Sequence, residues 1–211
     1  TYREFMENLE GMINEQGLQH LVLDLRQNPG GYLEEATKML NQFFKEKDRL
    51  LVYMDGEQIR KTEHKTTGKG FFPIDHIAVL IDEGSASASE IVAGALQDLD
   101  RGVIIGRRSF GKGLVQEQYR LSDGSAIRLT VAKYYTPSGR CIQKPYDSRK
   151  EYEQELNGRY RNGELITLDS VKVTDTTVYY TSEGRVVYGG GGIIPDIFVP
   201  ADTQWYTPEL Q

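Results

Sequence analysis

The sequence predicts an α/β fold: a mainly parallel sheet with helices, followed by an antiparallel β hairpin and a polar insertion. Three observations carry this. Strand-like apolar runs alternate with stretches of helical spacing over residues 18 to 106, which implies right-handed crossovers and parallel strands. Beyond them, Leu114 to Leu121 and Ala126 to Tyr135 are β-rich runs split by Ser122-Asp123-Gly124-Ser125, a hairpin signal. From Gln143 to Tyr188 the chain turns polar and Tyr-rich, which reads as an insertion within a single core spanning residues 1–211.

Phe5, Leu9, Met12 and Ile13 recur at helical spacing among polar residues, so 2 to 16 is expected to be an amphipathic helix stopped by Gly17. A strand over Leu18 to Leu25 ends in Asp24-Leu25-Arg26-Gln27-Asn28-Pro29-Gly30-Gly31. Leu33, Ala36, Met39, Leu40, Phe43 and Phe44 then describe a second helix, so a loop rich in Gly and Pro joins strand to helix. Arg49 to Met54 is a third apolar segment. The polar stretch Glu57 to Lys69 that follows reads as a strand or loop of low burial. Ile77 to Ile81 has the composition of a buried parallel strand, and Ile91 to Leu99 has helical spacing. Val103 to Gly106 is a short strand. Within the insertion, a short helix is expected near Glu151 to Leu156 and strand-like pieces at Val171 to Val173 and Val178 to Tyr180. After a hinge at Gly189 to Gly192, Ile193 to Val199 would add an edge strand.

Composition narrows the function classes. With 38% apolar and 10% aromatic residues the 211-residue chain can build a real core. The net charge of −6, from 31 acidic and 25 basic side chains, includes no basic cluster of the kind that marks a nucleic-acid footprint, so nucleic acid is not an expected partner. Cys141 stands alone, which excludes an internal disulfide and a Cys-rich metal site. No apolar run approaches the roughly 20 residues that span a bilayer, and the first residues are not a signal peptide. No cofactor or metal is implied.

Chemistry concentrates where a serine-rich turn, Ser85-Ala86-Ser87-Ala88-Ser89-Glu90, joins the strand ending at Ile81 to the helix beginning near Ile91. The first helical N–H groups lack intrahelical partners and the helix dipole is positive there, so a developing oxyanion is stabilised. Ser87 is the candidate nucleophile. The competing structural reading is a capping box, since Ser87 and Glu90 stand three apart before an apolar run.

A nucleophilic serine needs a base, and histidine fits poorly. His20 and His76 start their strands, about 20 Å from the edge where α/β sheets place their sites. His64 lies among Lys61, Thr62, Glu63 and Lys65, on what reads as a solvated face. Lysine is the alternative. Lys112, flanked by Gly111 and Gly113, follows the strand ending at Gly106 and so emerges at the same edge as the serine. Lowering its amine from about 10.4 to near neutrality costs roughly 4 to 5 kcal/mol, which calls for burial. Gln116, four residues on in an extended segment, would face the same side and orient the amine. A phosphate loop is not the better reading, because Gly113 stands where that motif needs Ser or Thr.

Five ordered stretches make a resemblance specific: Asp24 to Gly31, Gly84 to Glu90, Phe110-Gly111-Lys112-Gly113, Tyr134-Tyr135-Thr136-Pro137-Ser138-Gly139 and Gly192-Ile193-Ile194-Pro195-Asp196. Together they resemble the carboxyl-terminal processing proteases, also called tail-specific proteases. The resemblance covers residues 1 to about 142 and 189 to 200. It implies a crotonase-like core (the ClpP/crotonase superfold) and a serine endopeptidase that cuts proteins near accessible C-terminal tails. Ser87 would be the nucleophile, Lys112 the base and Gln116 its partner, with the backbone N–H groups of Gly31 and Ala88 as oxyanion donors. It also implies a preceding PDZ domain, absent from these residues, so the chain is expected to be a fragment that lacks that domain and a first strand. A cell-envelope or periplasmic location follows from the resemblance, and a homo-oligomer stays open. Two other classes compete: a catalytically silent binding scaffold of the same fold, against which Ser87, Lys112 and Gln116 argue together, and a crotonase-like acyl-CoA enzyme. The latter needs a carboxylate beside Gly31, whereas Glu34 and Glu35 begin a helix whose polar face should be solvated.

Overall fold

The computed structural model describes residues 2–57, 59–70, 72–146, 148–173 and 175–202. Helix α1 (Tyr2–Gln16) closes with Gly17 and Leu18 donating back to the Ile13 and Met12 carbonyls, a pairing that satisfies the helix end. Its Leu9 is buried, and Phe5 meets Phe43 edge-on at 5.9 Å. Strand β1 (His20–Asp24) leads to α2 (Leu33–Asn41), which stops short of Phe43 and Phe44 although both are buried. The phenylalanines are core residues of a turn, so their helical spacing overstated the helix.

Four strands form a parallel sheet in the order β1, β4 (His76–Ile81), β5 (Val103–Gly106) and β10 (Ile197–Phe198). In β4 the residues Ile77, Val79 and Ile81 are buried, as expected for a strand with neighbours on both sides. Helix α3 (Ala88–Asp98) joins β4 to β5 and is buried along its whole length.

The expectation of a mainly parallel sheet is corrected by β2 (Lys47–Asp55). This strand leaves the parallel sheet and sits in a second, antiparallel one, ordered β3 (Thr62–Thr67), β2, β7 (Ala126–Tyr135), β6 (Leu114–Arg120). The cause lies in the polar stretch 57–69, which contains β3 and turns straight back on β2, so no crossover is available to make the pair parallel. Thr66 anchors it: the buried hydroxyl accepts from Arg49 N–H and donates to the Glu46 carbonyl. One apolar cluster, from Leu9 through Leu40, Leu51, Val79 and Leu96 to Ile193, draws on the helices and both sheets.

The 143–188 stretch contains helix α4 (Arg149–Arg161), a 3-10 turn (Leu168–Ser170) and a small antiparallel pair, β8 (Asp175–Tyr180) and β9 (Val186–Gly189). Val171 to Val173, expected as strand-like, forms none, because no strand lies beside it to complete a ladder. Helix α4 runs from Ser148, whose hydroxyl accepts from Glu151 N–H, and is longer than its 151–156 signal.

Candidate active site

The C-terminal ends of β1 and β4 adjoin, and two loops leave them together. Asp82, after β4, accepts from the Gln27 backbone at 2.8 Å and from its side-chain amide at 2.7 Å. Ser85 is fully buried; its hydroxyl donates to the Leu25 carbonyl at 2.7 Å and accepts from Asp82 N–H at 2.9 Å. The Asn28 carbonyl accepts from Ala86 N–H and from the Ser89 hydroxyl. Gly30, with φ +85°, fills a place where a side chain would run into the Ala86 carbonyl and come within 2.6 Å of the Ala88 nitrogen. The glycine-rich loop is therefore pressed against the serine turn.

These bonds separate the three serines. Ser85 and Ser89 have committed their hydroxyls to the loop, whereas the half-exposed Ser87 Oγ makes no hydrogen bond of standard geometry among the described residues. Ser87 also has φ +57° and ψ −116°, a region that costs a non-glycine residue about 1–3 kcal/mol. An ordinary N-cap is extended. The capping box forms asymmetrically: Glu90 Oε2 takes the Ser87 N–H at 2.8 Å, while the Glu90 N–H faces the serine side chain without a true bond. The backbone N–H groups of Gly31 and Ala88 likewise donate to no protein group among the described residues, and Ala88 opens α3.

Glu90 is the residue that sequence reasoning took only as a cap partner. Its side chain is fully buried and collects four donors: Ser109 Oγ at 2.6 Å, Gly111 N at 2.6 Å, Lys112 N at 2.8 Å and Ser87 N at 2.8 Å. Burial pushes its carboxyl above the usual range, against the pull of those four donors. The Ser87 and Lys112 amides thus share one carboxylate oxygen. The only sequence signal was the three-residue spacing to Ser87; the contacts to Gly111 and Lys112 span 21 and 22 residues.

Lys112 and Gln116 are both exposed, and neither Lys112 Nζ nor the Gln116 amide has a hydrogen-bond partner among the described residues. The expected burial of Lys112 is not met. Gln116 rides on β6, which begins only at Leu114, so Lys112 lies outside the strand and the period-two spacing does not by itself put the two side chains on one face.

The histidines divide. His20 and His76 pair in register at the N-terminal ends of β1 and β4, with ring centroids 5.1 Å apart, at the far edge of the sheet. His64, expected to be solvated, is instead half-buried with Nε2 shielded and unpartnered among the described residues. It lines a cleft with Tyr32, Leu33, Glu34, Glu35, Met54 and Thr62, because β3 folds back beside α2.

Beside Gly31 and Ala88 opens a cavity of about 300 Å³, walled by Leu25, Ala36, Met39 and Val92 with Tyr32 and Glu35 at its border. Tyr32 is 83% exposed.

A model of the family described as "Peptidase family S41" matches residues 1–147. The chain belongs to peptidase family S41. Among curated relatives of this S41 chain, the carboxyl-terminal-processing protease of Synechocystis sp. is 42% identical over 145 residues, covering 68% of this chain and 33% of the relative. The chloroplastic carboxyl-terminal-processing peptidase 3 of Arabidopsis thaliana is 45% identical over 134 residues, covering 63% and 25%. A solved photosystem II D1 C-terminal processing protease aligns with TM-score 0.64 at 28% identity, over 92% of this chain and 38% of that one. The S41 chain spans about a third of the length of the curated relatives it matches. No described helix is long and apolar enough to cross a membrane.

Proposed function

We propose that the chain is the peptidase core of a serine endopeptidase that hydrolyses proteins near their C-termini, with Ser87 as nucleophile and Lys112 as general base. One observation carries the reading: in a turn of three serines, Ser87 alone donates its hydroxyl proton to no group among the described residues, its Oγ facing the Glu90 N–H of the capping box, on strained backbone at the start of a buried helix and beside unpaired N–H groups. In the reaction, neutral Lys112 takes the Ser87 proton as Oγ attacks the scissile carbonyl. The resulting oxyanion accepts from the Gly31 and Ala88 N–H groups. Collapse returns the proton from lysine to the departing amine and leaves an acyl-serine. Water, deprotonated by the same lysine, then releases the new C-terminal carboxylate and restores Ser87. Gln116 would turn inward to orient the amine once substrate is bound.

The exposure of Lys112 gives substrate a second task. A polypeptide laid over the Phe110 to Gly113 loop would exclude water from the amine and lower its pKa, as burial does for any ammonium. The apolar cavity beside Gly31 would take the side chain on the acyl side of the scissile bond, with Tyr32 stacking over the chain. In the longer protein, a PDZ domain ahead of this core would recruit C-terminal tails, in the cell envelope or periplasm, and the mixed α/β core would be crotonase-like.

The test is a pair of pH profiles on the full-length protein. The kcat profile, which reports the substrate complex, should rise through a midpoint well below that of kcat/KM, which reports the free enzyme. His20→Ala, His64→Ala and His76→Ala should leave both midpoints in place. A single midpoint near 6.5 that vanishes with one histidine would mean a histidine base and reject Lys112.

A further inference from the structure

The loop that bears Lys112 is held from two sides. Glu90 takes its amides, as described above. From the other side Arg159 of α4 takes its carbonyls: Nη1 donates to Ser109 O at 2.6 Å and Arg108 O at 3.4 Å, and Nη2 donates to Phe110 O at 3.1 Å. The guanidinium is almost fully buried and is itself oriented by Glu155, whose Oε1 accepts from Nε at 2.6 Å. Arg108, at the start of the loop, is tied to the same stretch through Glu164 at 2.5 Å and 2.8 Å. Lys144 donates its N–H to the Gly111 carbonyl and its ammonium to Glu155 at 3.0 Å. There is no slack at Gly111, where φ is +87° and a side chain would meet Lys144 Cβ at 2.9 Å.

Three successive carbonyls pointing at one planar cation is a specific arrangement. A guanidinium offers several N–H donors in a fixed fork, whereas an ammonium is a point charge that cannot span three acceptors in the same way. The family model stops at residue 147, so this partner comes from outside the matched region. We infer that Arg159 is a positioning residue for catalysis: α4 serves as a strut that sets the Arg108 to Lys112 backbone, and through it the Lys112 amine, against Ser87. The inference rests on the reading of Lys112 as the base.

The experiment uses the full-length protein with Arg159→Lys, and Lys112→Ala as its control. Misplacing a catalytic group by about 1 Å costs about 10²-fold, so Arg159→Lys should lower kcat by about that factor with KM within about twofold. Its kcat midpoint should also move up in pH, because a loosened loop leaves the amine more solvated. A role confined to stability would lower the melting temperature and leave the pH midpoint of the folded fraction where it was. Arg159→Ala adds a second signature: methylguanidinium, and not methylammonium, should restore part of kcat. If Arg159→Lys does not accumulate, Arg159→Gln, whose amide can still serve one carbonyl, is read in the same way. With Lys112→Ala inactive, an unchanged kcat and midpoint in the Arg159 variants would overturn the strut. If Lys112→Ala kept wild-type activity, the base assignment would fail first and take the strut's catalytic role with it.

Discussion

Ser85, Ser87 and Ser89 are alike in sequence and unlike in what their hydroxyls touch, and this sets different outcomes for the same substitution. Ser87→Ala should abolish proteolysis and cost no more than a helix cap, about 0.5–2 kcal/mol, because its Oγ serves the fold only by facing the Glu90 N–H in the capping box. Ser85→Ala should cost about 1–3 kcal/mol, since it strands the buried Asp82 N–H and leaves the Leu25 carbonyl with only the Asn28 N–H. Activity assays and thermal melts of the two variants check both; a stable, inactive Ser85→Ala beside an active Ser87→Ala would reverse the assignment. At this scale the sequence was legible for the place of the serine turn between β4 and α3, because a Gly-Ser-rich turn between strand and helix is a local pattern. It was not legible for Glu90. A cap partner is also a local pattern, but a carboxylate that reaches over 20 residues ahead for the Gly111 and Lys112 amides leaves no periodic trace.

The elements arrange the five motifs around α3. Asp24 to Gly31, Gly84 to Glu90 and the Gly111-Lys112-Gly113 loop meet at its N-terminus. The other two motifs run between its ends: Ser138 N–H binds Asp98 and Asp196 accepts from Gln97 and from Ile104 N–H at the C-terminus, while Tyr134 N–H donates to the Gly113 carbonyl and Ile193 pairs with Ser109 at the Lys112 loop. Those two motifs hold the helix and brace the loop that carries Lys112. Helix α4 was undersized in the sequence reading because its apolar face is sparse. It docks through the pairs of Glu155 with Arg108 and Lys144 and the bonds of Arg159 to the loop carbonyls, which an ordinary helical pattern does not announce. Glu155 sits at their centre. Burial raises its carboxyl pKa, but the Arg159 and Lys144 charges outweigh burial and hold it below the usual 4.5. A depressed carboxylate contributes stability above its unfolded pKa and loses it as pH falls through the lowered folded value. Amide exchange in α4, corrected for intrinsic rate, should therefore be steady from neutrality to about pH 5 and should quicken as the pH drops below 4.5. Protection that grew on acidification would contradict this ion-pair docking.

For the whole molecule, the outline of the parallel sheet was readable from the alternation of elements and the β6–β7 hairpin from its turn, whereas the β3–β2 half of the second sheet was not. Whether Arg49 to Met54 joins parallel neighbours or turns back on itself depends on a polar strand, Thr62 to Thr67, held by one buried threonine. The same global arrangement brings the ends of β1, β4 and β5 to one edge, so that groups from three loops and one helix converge there: Gly31, Ser87, Lys112 and, from α4, Arg159. The central claim is that this convergence makes Ser87 nucleophilic by way of Lys112. Its most direct test is to treat the full-length protein with an alkyl fluorophosphonate, digest it and map the adduct by mass spectrometry, alongside folded Lys112→Arg. The adduct should form on Ser87, and Lys112→Arg should slow its formation by about 10²–10⁴-fold, since a guanidinium cannot accept the proton. An adduct on another serine, or equal labelling of Ser87 in both proteins, would contradict the account.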